Sequence, residues 1–243
     1  MKGKRWYQAS DVAEEYESKR FSGGGRLIDR REREAVLDAL APVAEKRILE
    51  IACGTGRFSV MLADRGAEVV GIDISTPMLQ QGRRKAERTG VCDAVEFMRG
   101  DAARIPVPDD SFDAVFAMRF FHLAPTPRRF LEEMRRVSRE IIFFDTFNSP
   151  SSRTVYNWLL PMGSRLYHES DVHDLVAFTN LELVNQDRDF VLPYGCYRSI
   201  PGTVARPLRQ VDERIGGTDI GSQFASVSFW TVRENTDGKS GDA

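Results

Sequence analysis

Cysteine, histidine and uncompensated charge are all scarce in this chain. Its three cysteines, Cys53, Cys92 and Cys196, are far apart and odd in number, with no C-x-x-C pair. That argues against a disulfide framework and fits a reducing cytoplasm. The three histidines lack the spacing of metal ligands, so no metal site is expected. No apolar run approaches the roughly 20 residues that span a bilayer, and the opening Met1–Trp6 lacks the apolar stretch of a signal peptide. A net charge of −2 and a pI near 6.0 give no electrostatic reason to expect nucleic acid. Arginine-rich stretches such as Arg30-Arg31-Glu32-Arg33-Glu34 carry interleaved acids and read first as solvated helix faces.

What is present is the material of one α/β unit. The chain has 243 residues, 42% hydrophobic and 29% charged, enough for a substantial core. Residues 1–43 read as a helical cap segment. Ser10 caps a first helix whose Val12, Ala13 and Tyr16 share a face; Asp29 and Glu32 form a capping box for a second, running through Leu40. Between them Phe21-Ser22-Gly23-Gly24-Gly25 reads as a flexible turn. From Arg47 the pattern alternates. Strands are predicted at Arg47–Ala52, Glu68–Asp73, Ala94–Arg99, Phe112–Ala117 and Glu140–Asp145. Helices are predicted from about Gly56, from a Thr76 cap with Pro77 at its first position, and from a Thr126 cap with Pro127 likewise. Such alternation implies right-handed crossovers and a mostly parallel, Rossmann-like sheet covered on both faces. After Asp145 the period weakens. A helix from Ser170 to about Phe178, a strand at Leu181–Asp189 and a final strand at Phe224–Val232 are predicted. Segments 146–170 and 191–222 read as lid or substrate segments around a domain spanning 44–233, with Pro193–Gly221 a long irregular excursion. Residues 234–243 read as a disordered tail.

The most informative stretch is Ile48-Leu-Glu-Ile-Ala-Cys-Gly-Thr-Gly56, with an acid, Asp73, closing the next apolar run. An apolar strand that enters a two-glycine turn and then a helix hands the chain to a ligand at the carboxyl ends of parallel strands. Glycine admits close approach and positive φ, and Asp73 falls where a carboxylate meets a ribose diol. A dinucleotide turn would read G-x-G-x-x-G/A; Gly54-Thr55-Gly56-Arg57-Phe58-Ser59 puts Ser59 at the third small position. Glu50, four residues before the turn, would repel a pyrophosphate and suits a cationic ligand.

At these residues the chain resembles the class I S-adenosylmethionine-dependent methyltransferases, over roughly Arg47 to Asp145. Within them it is most similar to the broad group of quinone- and sterol-type small-molecule enzymes. Glu50-Ile51-Ala52-Cys53-Gly54-Thr55-Gly56 resembles the first motif E/D-x-G-x-G-x-G, with Ala52 in place of the first glycine. The resemblance implies a seven-stranded sheet with an antiparallel final strand and the cofactor S-adenosylmethionine. It implies that Glu50 orients the cofactor through its amino group or water, that the Ala52, Cys53 and Gly54 backbone and Gly56 line it, and that Asp73 holds both ribose hydroxyls. Ile74 and Met78 would flank the adenine, Asp101 would accept from its amino group and the Ala102 N–H would meet the ring. Met118 would contact the methionine ammonium, and Arg20, in a segment that folds over the cofactor, would reach its carboxylate.

Methyl transfer needs proximity, orientation and little water, and a base only where the acceptor must lose a proton. His122, just past the fourth strand, is the candidate base; the alternative is a packing or capping histidine. Arg119 would bind an anionic substrate group or pair with an acid nearby. Asp145 and Asn148 end the fifth strand, where acceptors approach. The aromatic stretch Tyr156–Tyr167, with Phe190, Tyr194 and Tyr197, suggests an apolar or planar small-molecule pocket, or else the core beneath a lid. The leading reading is a small-molecule C- or O-methyltransferase. The rivals are an RNA methyltransferase, which the mixed charge disfavours, and a non-catalytic partner subunit, which an intact Glu50/Asp73/Asp101 set disfavours.

Overall fold

The structure, a computed structural model, describes residues 23–154 and 164–235. Helix α1 (Gly25–Leu40) precedes β1 (Arg47–Ile51), α2 (Arg57–Ala63), β2 (Glu68–Asp73), α3 (Thr76–Thr89), β3 (Val95–Arg99) and β4 (Phe112–Ala117). Then follow α4 (Pro127–Val137), β5 (Ser138–Phe147), α5 (Glu169–Phe178), β6 (Leu181–Asp189), α6 (Tyr194–Ser199), α7 (Gly202–Gly216), α8 (Asp219–Gln223) and β7 (Val227–Glu234). The expected helix around Ser10, together with Tyr16, Arg20, Tyr156, Trp158 and the tail from residue 236, lies outside the described residues.

The sheet has the order β3-β2-β1-β4-β5-β7-β6. Neighbours from β3 through β5 pair in parallel, and β7 runs antiparallel to both β5 and β6. The central strands are apolar along their length because both faces are covered. Alternation sorts them: Leu49, Ile51, Val70, Ile72 and Val115 pack with α4 and α5, whereas Ile48, Val69, Ala114 and Phe116 pack with α1 and α2. Each residue thus has a layer assigned by parity alone.

Several elements depart from the sequence reading. Helix α1 begins at Gly25, so Asp29 and Glu32 lie inside it and cap nothing; their carboxylates are turned onto Arg57. Ser75, rather than Thr76, caps α3, its Oγ accepting from Met78 N–H at 3.4 Å. Thr126 precedes α4 without a side-chain cap bond. Strand β5 continues two residues past Asp145, because β7 pairs alongside as far as Phe147. Residues 193–221 are three helices rather than an irregular excursion, and the final strand starts at Val227 rather than Phe224.

One buried ring fixes the layer over β2 and β3. A Cβ on Gly56 would lie 2.4 Å from the Phe97 ring; on Gly71 or Gly82 it would lie 3.0 or 2.8 Å from that ring. Three glycines from the turn, β2 and α3 thus form the slot that Phe97 fills. In an exposed helix, Gly→Ala gains about 1 kcal/mol. Here Gly82→Ala is expected to destabilise by about 1–3 kcal/mol through overpacking. Thermal melting measures it, and a raised midpoint would show that the slot yields.

Candidate functional site

Strand β1 ends in a turn made of left-handed residues. Ala52, Gly54 and Gly56 have φ of +53°, +56° and +66°. The Cys53 N–H donates to Ile72 O at 3.0 Å, and the Gly56 N–H closes the turn on Cys53 O at 2.9 Å. Left-handed backbone is nearly free for glycine and costs about 1–2 kcal/mol for other residues, so Ala52 carries strain where the resembling motif has glycine.

Asp73, at the end of β2, reaches across to this turn. Its Oδ2 accepts from Gly54 N–H at 2.9 Å and its Oδ1 from Ser75 N–H at 2.8 Å. Burial raises its pKa, opposed by backbone donors at Ser75, Gly54 and Ile74. A carboxylate offers about four lone-pair sites, so these backbone donors leave acceptor capacity. Among the described residues, a Cβ added at Gly54 would meet nothing within 4 Å. Within them the glycine faces open space beside an anionic acceptor.

Glu50 is buried at the same end of β1, its Oε2 accepting from both the backbone N–H and the hydroxyl of Ser59 in α2. Ser59, which departs from the Gly or Ala of a dinucleotide turn, is thus the partner of Glu50. Burial pushes the Glu50 carboxyl up to about 7, against the opposing pull of Ser59 and Arg57. Cys53 is buried too, and burial with the nearby Glu50 and Asp73 carboxylates drives its thiol well above the usual range, away from nucleophilic thiolate.

At the end of β3, Asp101 is exposed and its Oδ1 accepts from Ala103 N–H at 2.9 Å, while the Ala102 methyl is buried among Ile72 and Ile105. Gly100 N–H donates to Asp73 O at 3.1 Å, which brings the Asp101 loop alongside the β2 end. Ile74 is half-buried and Met78 buried. The Met118 side chain packs into the core with Phe116 and Phe143, so only its backbone is left for the methionine contact.

Beyond β4 the chain turns through Arg119, whose φ is +59°. The Arg119 N–H donates to Asp145 Oδ1 and its guanidinium to Glu32 of α1, all three groups being buried. Glu32 also receives Arg57. Arg119 is therefore engaged by acids, the second of the two roles its position suggested, and Asp145 is a buried strand residue rather than an open strand end. Sequence reasoning missed Glu32 as a site residue. The signal was available: it occupies the apolar stripe of α1 with Ile28, Ala35, Val36 and Leu40, and a charge on a core-facing stripe needs a buried partner. His122 lies in a short 3₁₀ turn, Phe121–Leu123, half-buried with its ring 4.6 Å from that of Phe147 at the end of β5. Asn148 Nδ2 donates to Ala225 O and Ser228 Oγ at 2.8 and 2.9 Å, tying the β5 end to β7.

This sheet order, with a glycine turn after β1 and an acid closing β2, is a Rossmann-like architecture of the kind the first-motif resemblance implies. Residues 48–140 match the family model described as a methyltransferase domain. A demethylmenaquinone methyltransferase of Clavibacter sepedonicus is 47% identical over 105 residues, 43% of this chain and 42% of that one. A ubiquinone/menaquinone biosynthesis C-methyltransferase of Roseobacter denitrificans is 28% identical across 66% of this chain and 69% of that one. The chain spans about half the length of the curated demethylmenaquinone methyltransferases it matches. In fold, it is similar to magnesium protoporphyrin IX methyltransferase from Synechocystis with bound SAH, with a TM-score of 0.63, 16% identity, and coverage of 86% of this chain and 84% of that one.

The raised Glu50 carboxyl has a consequence for stability. Its pKa is higher folded than its ordinary 4.5, so the native state holds the proton more tightly. The stability this contributes is complete below about 4.5 and is lost as pH rises through about 7. Without ligand, Glu50→Gln is expected to remove that slope, on the order of 3 kcal/mol across the window. Denaturant unfolding of parent and variant at a series of pH values measures the difference; parallel profiles would mean Glu50 does not titrate there.

Proposed function

We propose that the chain transfers a methyl group from S-adenosylmethionine to a small-molecule acceptor, at carbon or oxygen, by in-line displacement. The observation that carries this reading is the open Gly54 turn hydrogen-bonded to Asp73 with Glu50 buried behind it. When bound, the cofactor supplies an already activated methyl group on a sulfonium. Asp73 would accept from the ribose hydroxyls, and Asp101 from the adenine amino group. Glu50 would favour a cationic group near the turn, since a positive charge stabilises its ionised form. Arg119, Glu32 and Asp145 hold the β4 and β5 ends together, and act as positioning residues for whatever lies over them.

The chemistry asked of the chain is orientation and exclusion of water. His122, packed on Phe147 past the end of β4, is the candidate to take a proton from a hydroxyl or activated carbon. Relatives support a small-molecule acceptor but leave the accepting atom open: their names include a C-methyltransferase, a phosphatidylethanolamine N-methyltransferase and a probable tocopherol O-methyltransferase.

Asp73→Ala removes the diol acceptor, and bonds to a charged group contribute about 1.5–3 kcal/mol each. Calorimetry with S-adenosylmethionine and S-adenosylhomocysteine is expected to show binding weakened at least ~100-fold. Absence of binding by the parent protein would overturn the proposal. His122→Ala is expected to retain cofactor affinity and lose turnover by about 10²–10⁴-fold. Unchanged kcat would return His122 to packing against Phe147.

A further inference from the structure

Both donors that reach Glu50 come from one residue. The Ser59 backbone N–H bonds Oε2 at 2.8 Å, and the Ser59 hydroxyl bonds the same oxygen. Oε1 takes no hydrogen bond from the described residues. The neighbours across the sheet offer it none. Glu50 lies in register with Gly71 of β2, which has no side chain, and with Phe116 of β4, whose side chain has no donor. Ser59 is fully buried in the first turn of α2, where a backbone N–H has no partner within the helix and must find one outside. The start of α2 thus fixes one oxygen of the carboxyl and leaves the other uncommitted.

Few charges face this carboxyl. Arg57 of α2 acts on it by charge alone, its guanidinium being held by Asp29 and Glu32 of α1; Lys85 of α3 adds a smaller pull. Cys53 in the turn and Asp73 of β2 stand close by, since the Glu50 and Asp73 charges both raise the Cys53 thiol. Among the described residues neither Glu50 nor Asp73 has an ion pair. Two carboxyls and a thiol therefore gather at the β1 and β2 ends with no cation bonded to them. Burial holds the proton on Glu50 up to about 7, and a positive charge brought to this end of the sheet favours its release.

We infer that Ser59 is a positioning residue that couples cofactor binding to the loss of one proton from Glu50. The inference rests on the S-adenosylmethionine reading of the site. Ser59 holds Oε2 by two bonds, and a cationic group of the cofactor favours the ionised carboxyl. On binding, the proton passes from Glu50 to solvent and the carboxylate remains to face the incoming charge. Below about 7 the unliganded carboxyl carries its proton, so affinity falls as pH falls. Without the Ser59 hydroxyl the ionised form loses a charge-assisted bond, and Glu50 keeps its proton to higher pH.

The test is calorimetry of the full chain with S-adenosylmethionine from about pH 5.5 to 8, in pairs of buffers of different ionisation enthalpy, which counts the protons released. The parent is expected to release about one proton near pH ~6 and to bind up to about tenfold more weakly per pH unit below about 7. Glu50→Gln has no proton to lose and should remove this release. Asp73, whose carboxyl burial also raises, is common to both proteins, so the difference belongs to Glu50. Ser59→Ala should displace the parent profile upward by about 1–2 pH units, the worth of one bond to a charged group. Ser59→Cys, close in volume and a weak donor, should give a smaller displacement. A merely structural Ser59 would weaken binding equally at every pH. That result, or equal proton release by the parent and Glu50→Gln, would overturn the inference. Binding by the parent without pH dependence would overturn this inference alone, whereas no binding at any pH would overturn the cofactor reading beneath it.

Discussion

The hydrogen bond from the Gly54 N–H to the Asp73 carboxylate joins two strand ends that the sheet has already set side by side. Parallel pairing of β1 with β2 puts both carboxyl ends at one edge, and the bond then fixes how the turn leaves that edge. The rest is arranged around it. Ser75 N–H takes the other Asp73 oxygen and Ser75 caps α3; Gly56 starts α2 over the Phe97 ring; the Asp101 loop is hung from the Asp73 carbonyl through Gly100. One carboxylate thereby sets the positions of a turn, a helix start and the next loop, and still has lone pairs for a ligand.

A second constraint acts from the opposite side of the turn. Glu32, Arg57, Arg119 and Asp145 bring α1, the start of α2 and the ends of β4 and β5 into one buried ionic cluster. Truncating one member of such a cluster leaves a charge uncompensated and is far costlier than replacing the cluster with apolar groups. Its contribution is geometric specificity: α1 is held at the edge where ligands enter, instead of merely covering the sheet.

Local pattern made the sheet legible. Glu68–Asp73, Phe112–Ala117 and Leu181–Asp189 match the apolar runs that announce them. The motif residues Glu50, Asp73 and Asp101 were visible as acids at successive strand ends. What escaped was non-local. The extra length of β5 comes from pairing with a strand 80 residues on (Asn148 itself bonds Ser228), and nothing near Asp145 encodes that. The Glu50–Ser59 bond was hidden because it joins a strand end to a helix nine residues on, and Ser59 was weighed only against the third small residue of a dinucleotide turn. Residues 193–221 defeated the helix pattern for another reason: Pro207 sits inside α7, and the face that packs carries Arg209 and Asp212 beside Ala205. A rule that points apolar residues inward reads such a helix as no helix at all.

Ala52 gives the turn after β1 a property that glycine would not. Glycine explores both signs of φ, so a glycine there would leave the unliganded turn several shapes, all but one of which a ligand must suppress. Alanine held at φ +53° by the Cys53 bond to Ile72 O has few alternatives. The strain is present before the ligand arrives, and the entropy of ordering the turn is lost during folding instead of during binding. The substitution that departs from the motif thus exchanges some fold stability for a turn already shaped to receive its ligand.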